Sequence, residues 1–252
     1  MSYTVKQFGW RHDTPDLRDH LYQLPEAITL PTSVDLRATC PPVYDQGQLG
    51  SCTACALAGA IEFNMVRLQS PQEFTPSRLF IYYNERKIEH TTKSDAGAEL
   101  RDGIKSVASQ GVCSELLWPY NISRFTKKPS KSCYTAAKTD LISQYQRLDN
   151  TNLDMLKSCL ASDYPFVFGF TVYESFMTQQ VATTGIVPMP QPNEATVGGH
   201  ACVGVGYDDS QQVFIARNSW STSWGQQGYF TIPYGYLTNA SLAADFWQIQ
   251  SS

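Results

Sequence analysis

The stretch VYDQGQLGSCTACALAGAIEF, residues 43–63, decides the reading of this chain. Ser51 is a residue type that caps helix N-termini, and behind it Ala54, Leu57, Ala58, Ile61, Met65 and Leu68 recur at helical spacing. Residues 51–68 therefore read as a helix that begins at Cys52. A thiol attacks as its thiolate, and the positive end of a helix lowers a cysteine's pKa. Upstream, Gln46 carries a side-chain amide that can join the Cys52 backbone N–H in binding the oxyanion of an acyl-transfer intermediate. One short segment thus offers a nucleophile, an activating dipole and half an oxyanion hole.

Such a cysteine needs a base and a group that orients the base. The chain holds four histidines. His12 and His20 lie in a polar, turn-rich stretch, and His90 lies in the charged run ERKIEHTTKSD. His200 follows Gly198-Gly199 and opens ACVGVGY, an apolar run that reads as a buried strand. Further on, RNSWSTSWGQQGYF supplies Asn218, Trp220 and Trp224. A neutral amide can orient an imidazole, and a neighbouring indole can shield that hydrogen bond from water. Taken singly these residues have plainer readings: Cys52 as a buried thiol, Gln46 as a surface amide, His200 as a core histidine, Asn218 and Gly97 as turn residues. Their order and combination favour the catalytic one.

With Gln46-Gly47, Gly50-Ser51-Cys52, Gly199-His200-Ala201, Asn218-Ser219-Trp220, Trp224-Gly225 and Gly228-Tyr229 in place, the chain resembles the papain-family cysteine peptidases. His200 and Asn218 follow Cys52 by 148 and 166 residues, close to that family's separation. LPTSVDLR (30–37) resembles the start of a mature enzyme, and Gly97 falls in the substrate-binding segment. The resemblance implies an α+β fold in two parts, a helical half with Cys52 and a β-barrel-like half with His200 and Asn218, the site lying in the cleft between. It implies Cys52, His200, Asn218 and Gln46 as catalytic residues, and Gly97, Ala98, Gly199, Trp220 and Trp224 as substrate-binding ones. It further implies peptide-bond hydrolysis, as an endopeptidase on peptide or protein substrates, by a monomer with no cofactor and no metal.

Departures from the family pattern are informative. The usual C-G-S-C-W reads Leu49-Gly50-Ser51-Cys52-Thr53, so the upstream cysteine is missing. Alignment through VASQGV puts Asp95 where its disulfide partner would stand, so both halves of that bridge are lost together. Ala98 replaces the second glycine of the substrate-binding pair. The pattern is nearest to bacterial papain-like enzymes of the xylellain type, whose short N-terminal extension limits access to the cleft.

Length and composition fit one catalytic unit: 252 residues, 42% hydrophobic and 17% charged. A net charge of −4 argues against a nucleic-acid partner, and no apolar stretch reaches the length of a membrane span. Residues 30–252 read as the catalytic domain. Residues 1–29 lack a secretory-signal pattern, leaving the compartment open. They occupy the place of a pro-region but are short and interrupted by Pro15 and Pro25. Two readings compete for them: a surface strap, or a strap across the cleft anchored by Phe8, Trp10, Leu17 and Tyr22.

Helices are also expected over 98–110 and about 151–161, and strands over 166–172, 201–207, 212–217 and 228–232. TTGIVPMPQPNEATVGG (183–199) reads as a loop leading into His200. Of the seven cysteines, Cys55 and Cys202 read as buried thiols, and Cys113 with Cys133 is the pair expected to bridge in an oxidising compartment. Rival readings are a Cys3His zinc set from Cys52, Cys55, His200 and Cys202, a redox C-x-x-C, and a catalytically silent binding protein of the same fold. The same triad could also serve transpeptidation or deamidation.

Overall fold

In the computed structural model, which describes residues 8–25, 29–139 and 142–251, helix α1 (Cys52–Arg67) forms the spine. Its residues are buried without a break from Cys52 to Met65. The Ala, Gly, Cys and Thr content explains this, since small side chains let other elements press on every side. Leu68, expected on the apolar face, is half exposed at the helix end. On one flank lie α2 (Arg78–Ile88) and α3 (Leu100–Gln110); α4 (Lys131–Ala137) and α5 (Leu153–Ala161) follow in sequence.

The other flank is a sheet. Its strands are β2 (Ser33–Asp35), β4 (Ile142–Leu148), β5 (Phe166–Tyr173), β6 (Thr196–Asp208), β7 (Val213–Arg217), β8 (Tyr229–Pro233) and β9 (Ala243–Ser251). They run β4-β9-β5-β6-β7-β8, with β2 pairing on β6, and every pairing is antiparallel. Strand β5 reads as a continuous apolar run because it sits inside the sheet with both faces covered; Phe166, Val167, Phe168 and Phe170 are fully buried. A separate two-stranded ribbon joins β1 (Trp10–Arg11) to β3 (Ala98–Glu99) in parallel.

The α+β arrangement matches expectation, with three corrections. Among the described residues no pairing joins β4 to β8, so the sheet is open and "barrel-like" describes its curl at most. The helix expected over 98–110 starts at Leu100, because Ala98 and Glu99 are drawn into the ribbon with β1. The loop expected over 183–199 is shorter: α6 (Gln179–Thr184) takes its start, and Thr196 to Gly199 already belong to β6. Cys113 and Cys133 do approach each other closely enough to hydrogen-bond, yet all seven cysteines are free thiols.

Candidate active site

Cys52 is the first residue of α1 and is fully buried. Ser51 stands at the cap position, but its hydroxyl bonds Tyr120 Oη at 2.5 Å and does not cap the helix. The backbones of Ala201 and Gly9 lie near enough to the Cys52 sulfur to favour its charged form. Ala201 follows His200 directly in β6.

His200 Nε2 lies 2.8 Å from Asn218 Oδ1. The Ser219 backbone N–H donates to the same Oδ1 at 2.8 Å, which fixes that atom as an acceptor. His200 must therefore carry its proton on Nε2. Nδ1 is left unprotonated, and it is buried without a hydrogen-bond partner. Trp220 covers the ring at 4.8 Å, and Phe170 packs edge-on at 5.8 Å. Gln46 is buried, donating from Nε2 to Leu49 O at 2.9 Å and accepting at Oε1 from Ser219 Oγ at 2.7 Å and Trp220 Nε1 at 3.2 Å. One set of hydrogen bonds thus ties the segment before Cys52 to the segment after Asn218. Trp224 lies one ring behind Trp220, packed on Phe176 and Phe230.

Burial pushes the Cys52 thiol up to about 12. It also pulls His200 down to about 4, against the Asn218 hydrogen bond, which acts the other way. Both groups are neutral near pH 7 in this arrangement. Burial thus opposes the lowering expected from the helix terminus.

What excludes the water is the N-terminal segment. Phe8 places its ring 6.1 Å from both His200 and Trp220. Gly9 O accepts from Ala98 N–H at 2.7 Å, and Trp10 stands opposite Ala98 in the ribbon. Gly97, at φ +68°, has no room for a Cβ, which would overlap the Gly9 carbonyl. Beyond the cleft, Arg101 donates to Asp19 with both side chains buried, Arg11 pairs with Glu89, and the Thr14 N–H donates to Glu99 Oε2 at 2.9 Å. Tyr22 Oη meets Ser158 Oγ at 3.2 Å. Three of the four expected anchors are seated; Leu17 is fully exposed. Residues 1–7 and 26–28 of the strap lie outside the described residues.

Sequence reasoning missed one functional link. Asp95, aligned with the lost disulfide partner, accepts the Gly50 N–H at 3.0 and 3.1 Å and the Tyr82 hydroxyl, and Tyr82 Oη in turn accepts the Gly97 N–H at 3.3 Å. The carboxylate keeps together the same two segments that the bridge would join. Its sequence signal was the paired loss of both cysteines. The Cys3His alternative has no counterpart: among the described residues no three His, Cys, Asp or Glu side chains are grouped to hold a metal ion.

Comparison with known proteins agrees with this geometry. The model of the papain family cysteine proteases matches residues 30–246. An uncharacterized peptidase C1-like protein of Acanthamoeba polyphaga mimivirus is 42% identical, over 98% of this chain and 80% of its own length. The crystal structure of xylellain, a cysteine protease from Xylella fastidiosa, superposes with a TM-score of 0.92 at 43% identity, covering 98% of this chain and 99% of that one. Digestive procathepsin L 3 of Tenebrio molitor shares the fold at 20% identity and a TM-score of 0.73, over 93% and 74% of the two chains.

Proposed function

Because the chain belongs to the papain family of cysteine proteases, we propose that Cys52, His200 and Asn218 are its working triad, that it acts as an endopeptidase, and that its N-terminal strap restrains it. Cys52 gives its proton to His200 Nδ1 and attacks a peptide carbonyl, forming a tetrahedral oxyanion held by Gln46 and the Cys52 N–H. The imidazolium protonates the leaving amine as the thioester forms. His200 then takes a proton from water, which releases the acid product and restores the thiol. Asn218 keeps the ring in register, and Trp220 shelters that bond.

The observation that carries this reading is the oxygen of Asn218, shared between Ser219 N–H and His200 Nε2, which leaves Nδ1 as the free base. An extended substrate would pair with the Ala98 backbone where Gly9 now does. The strap lowers the apparent rate in proportion to the time it is closed. Cys52→Ala should abolish hydrolysis of every peptide. Deleting residues 1–29 should raise the rate on small peptides without changing which bond is cut, and product mapping should show internal cuts. Residual hydrolysis by Cys52→Ala sinks the nucleophile assignment. An unchanged or lower rate in a truncated, still-folded protein removes the restraint.

A further inference from the structure

Three thiols lie close enough at the start of α1 to oppose one another's ionisation, and the catalytic scheme uses only Cys52. Cys52 and Cys55 are the first and fourth residues of the helix, both buried. Cys202 lies on β6, two residues past His200, with its sulfur 3.8 Å from Asn218 Oδ1. Residues three apart on a helix share a face, with Cβ atoms about 5–6 Å apart. A disulfide spans Cα atoms about 4.4–6.8 Å apart, so the first turn has the reach for one. Helical side chains lean toward the N-terminus, and the Cys55 sulfur lies 4.0 Å from Ser51 Oγ, the residue before Cys52. Burial pushes the Cys55 thiol up to about 11, while Arg78 beside it favours the thiolate. Thr53, between the two cysteines in sequence, is held by Glu85 of α2. The Cys55 N–H closes the first helical hydrogen bond, to Ser51 O at 3.0 Å. The Cys52 N–H has no place in the helix ladder, so Cys52 can shift without unwinding α1.

We propose that Cys55 is a resolving thiol for Cys52: when a hydroperoxide oxidises the nucleophile, the two close a reversible disulfide within the first turn of α1. The proposal rests on the peptidase reading above for the reactivity of Cys52. With the strap over it Cys52 is a neutral thiol, which hydroperoxides oxidise slowly. Opening lets His200 take the proton, and the thiolate becomes the target. That thiolate attacks one peroxide oxygen: the S–O bond forms, the O–O bond breaks, and the departing alkoxide or hydroxide takes a proton from the His200 imidazolium. Cys52 is left as the sulfenic acid. The Cys55 sulfur then attacks the Cys52 sulfur, the S–S bond forms, and the hydroxyl leaves with the Cys55 proton as water. The thiol pair gives up two electrons and the peroxide gains them. With no thiol in reach, more peroxide carries the sulfenic acid to the sulfinic acid, which thiols do not reverse. While bridged the enzyme is silent, and an external dithiol restores it by exchange. Cys202 stands on a separate element and is engaged with Asn218, so a bridge to it would drag β6 against α1.

The test treats the full-length protein with hydrogen peroxide, blocks the remaining thiols with iodoacetamide under denaturing conditions and maps disulfides by mass spectrometry. In the wild type, Cys52 and Cys55 should escape alkylation together and be recovered as one linked pair. Peptidase activity should be lost with peroxide and return with dithiothreitol. In Cys55→Ser activity should be lost as well and should not return, with Cys52 recovered as the sulfinic or sulfonic acid. Absence of the link in the wild type overturns the proposal, whether or not Cys55→Ser folds. A link from Cys52 to Cys202 overturns it too, as does recovery of Cys55→Ser equal to that of the wild type. If no peptide is cut in a Cys52-dependent way before oxidation while the link still forms, the peptidase reading fails and the resolving pair stands.

Discussion

Gln46→Ala separates a job the Gln46 side chain performs from one proposed for it. As scaffold, Gln46 Oε1 is the shared acceptor of Ser219 Oγ and Trp220 Nε1, and all three residues are buried. Withdrawing a buried acceptor costs about 1–3 kcal/mol. For a chain of this size each kcal/mol moves the melting temperature by roughly 2–4 °C, so a fall of about 2–12 °C is expected. As an oxyanion donor, Gln46 acts only once the carbonyl has become tetrahedral. Its loss should therefore lower kcat by about two to three orders of magnitude with little change in KM. Ser219→Ala is the control, since it breaks the 2.7 Å bond to Gln46 and removes no oxyanion donor. Calorimetry and steady-state kinetics on the full chain at pH 7 give both readouts. Equal losses of kcat in Gln46→Ala and Ser219→Ala would refute the donor role and leave Gln46 as scaffold.

Two more expectations follow from carboxyl groups. Asp95→Ala removes the acceptor of the Gly50 N–H and the Tyr82 hydroxyl and should cost about 1–3 kcal/mol; an unchanged denaturation midpoint would show that the link carries no weight. Glu85 is fully buried, accepts from Thr53 Oγ1 at 2.7 Å, and has its other oxygen unpartnered. Burial pushes it up to about 8 from 4.5, so its contribution is fully present below pH 4.5 and is lost as pH rises through 8. At about 1.4 kcal/mol per unit, wild type should lose on the order of 5 kcal/mol relative to Glu85→Gln between those limits, read as the difference between their denaturation curves. A pH-independent difference would mean that the acid is not held neutral.

The parts legible in sequence were those whose burial leaves a periodic mark. Helix α1 and strands β5 to β8 announce themselves because their apolar residues repeat or run on. Helix α2 was missed because Arg78, Asn84, Glu85 and Arg86 are buried alongside its apolar residues, and this blurs any stripe. Strand β4, ISQYQRL, is an edge strand with polar residues, and β9 mixes Asp and Gln with Phe and Trp. In the site, residue identity located Cys52, His200, Asn218 and Gln46, but the neutral state of Cys52 and His200 depends on what covers them. That cover comes from Phe8, Gly9 and Trp10, whose place is set by missing side chains at Gly97, Gly169 and Gly199 far along the chain.

The way Gly9 meets the nucleophile bears on how the proposed restraint would end. A sulfur attacks carbonyl carbon, and the Gly9 carbonyl is paired with the Ala98 N–H. Under the proposed restraint, the strap covers the nucleophile without being cut. It need not be spent on first opening, and the same molecule can open and close many times. Because it is tethered, its effective concentration at the cleft is set by the chain and not by the solution, so dilution does not release it. In that reading, a ligand that competes for the cleft, or loss of the Arg101–Asp19 pair, would shift the balance.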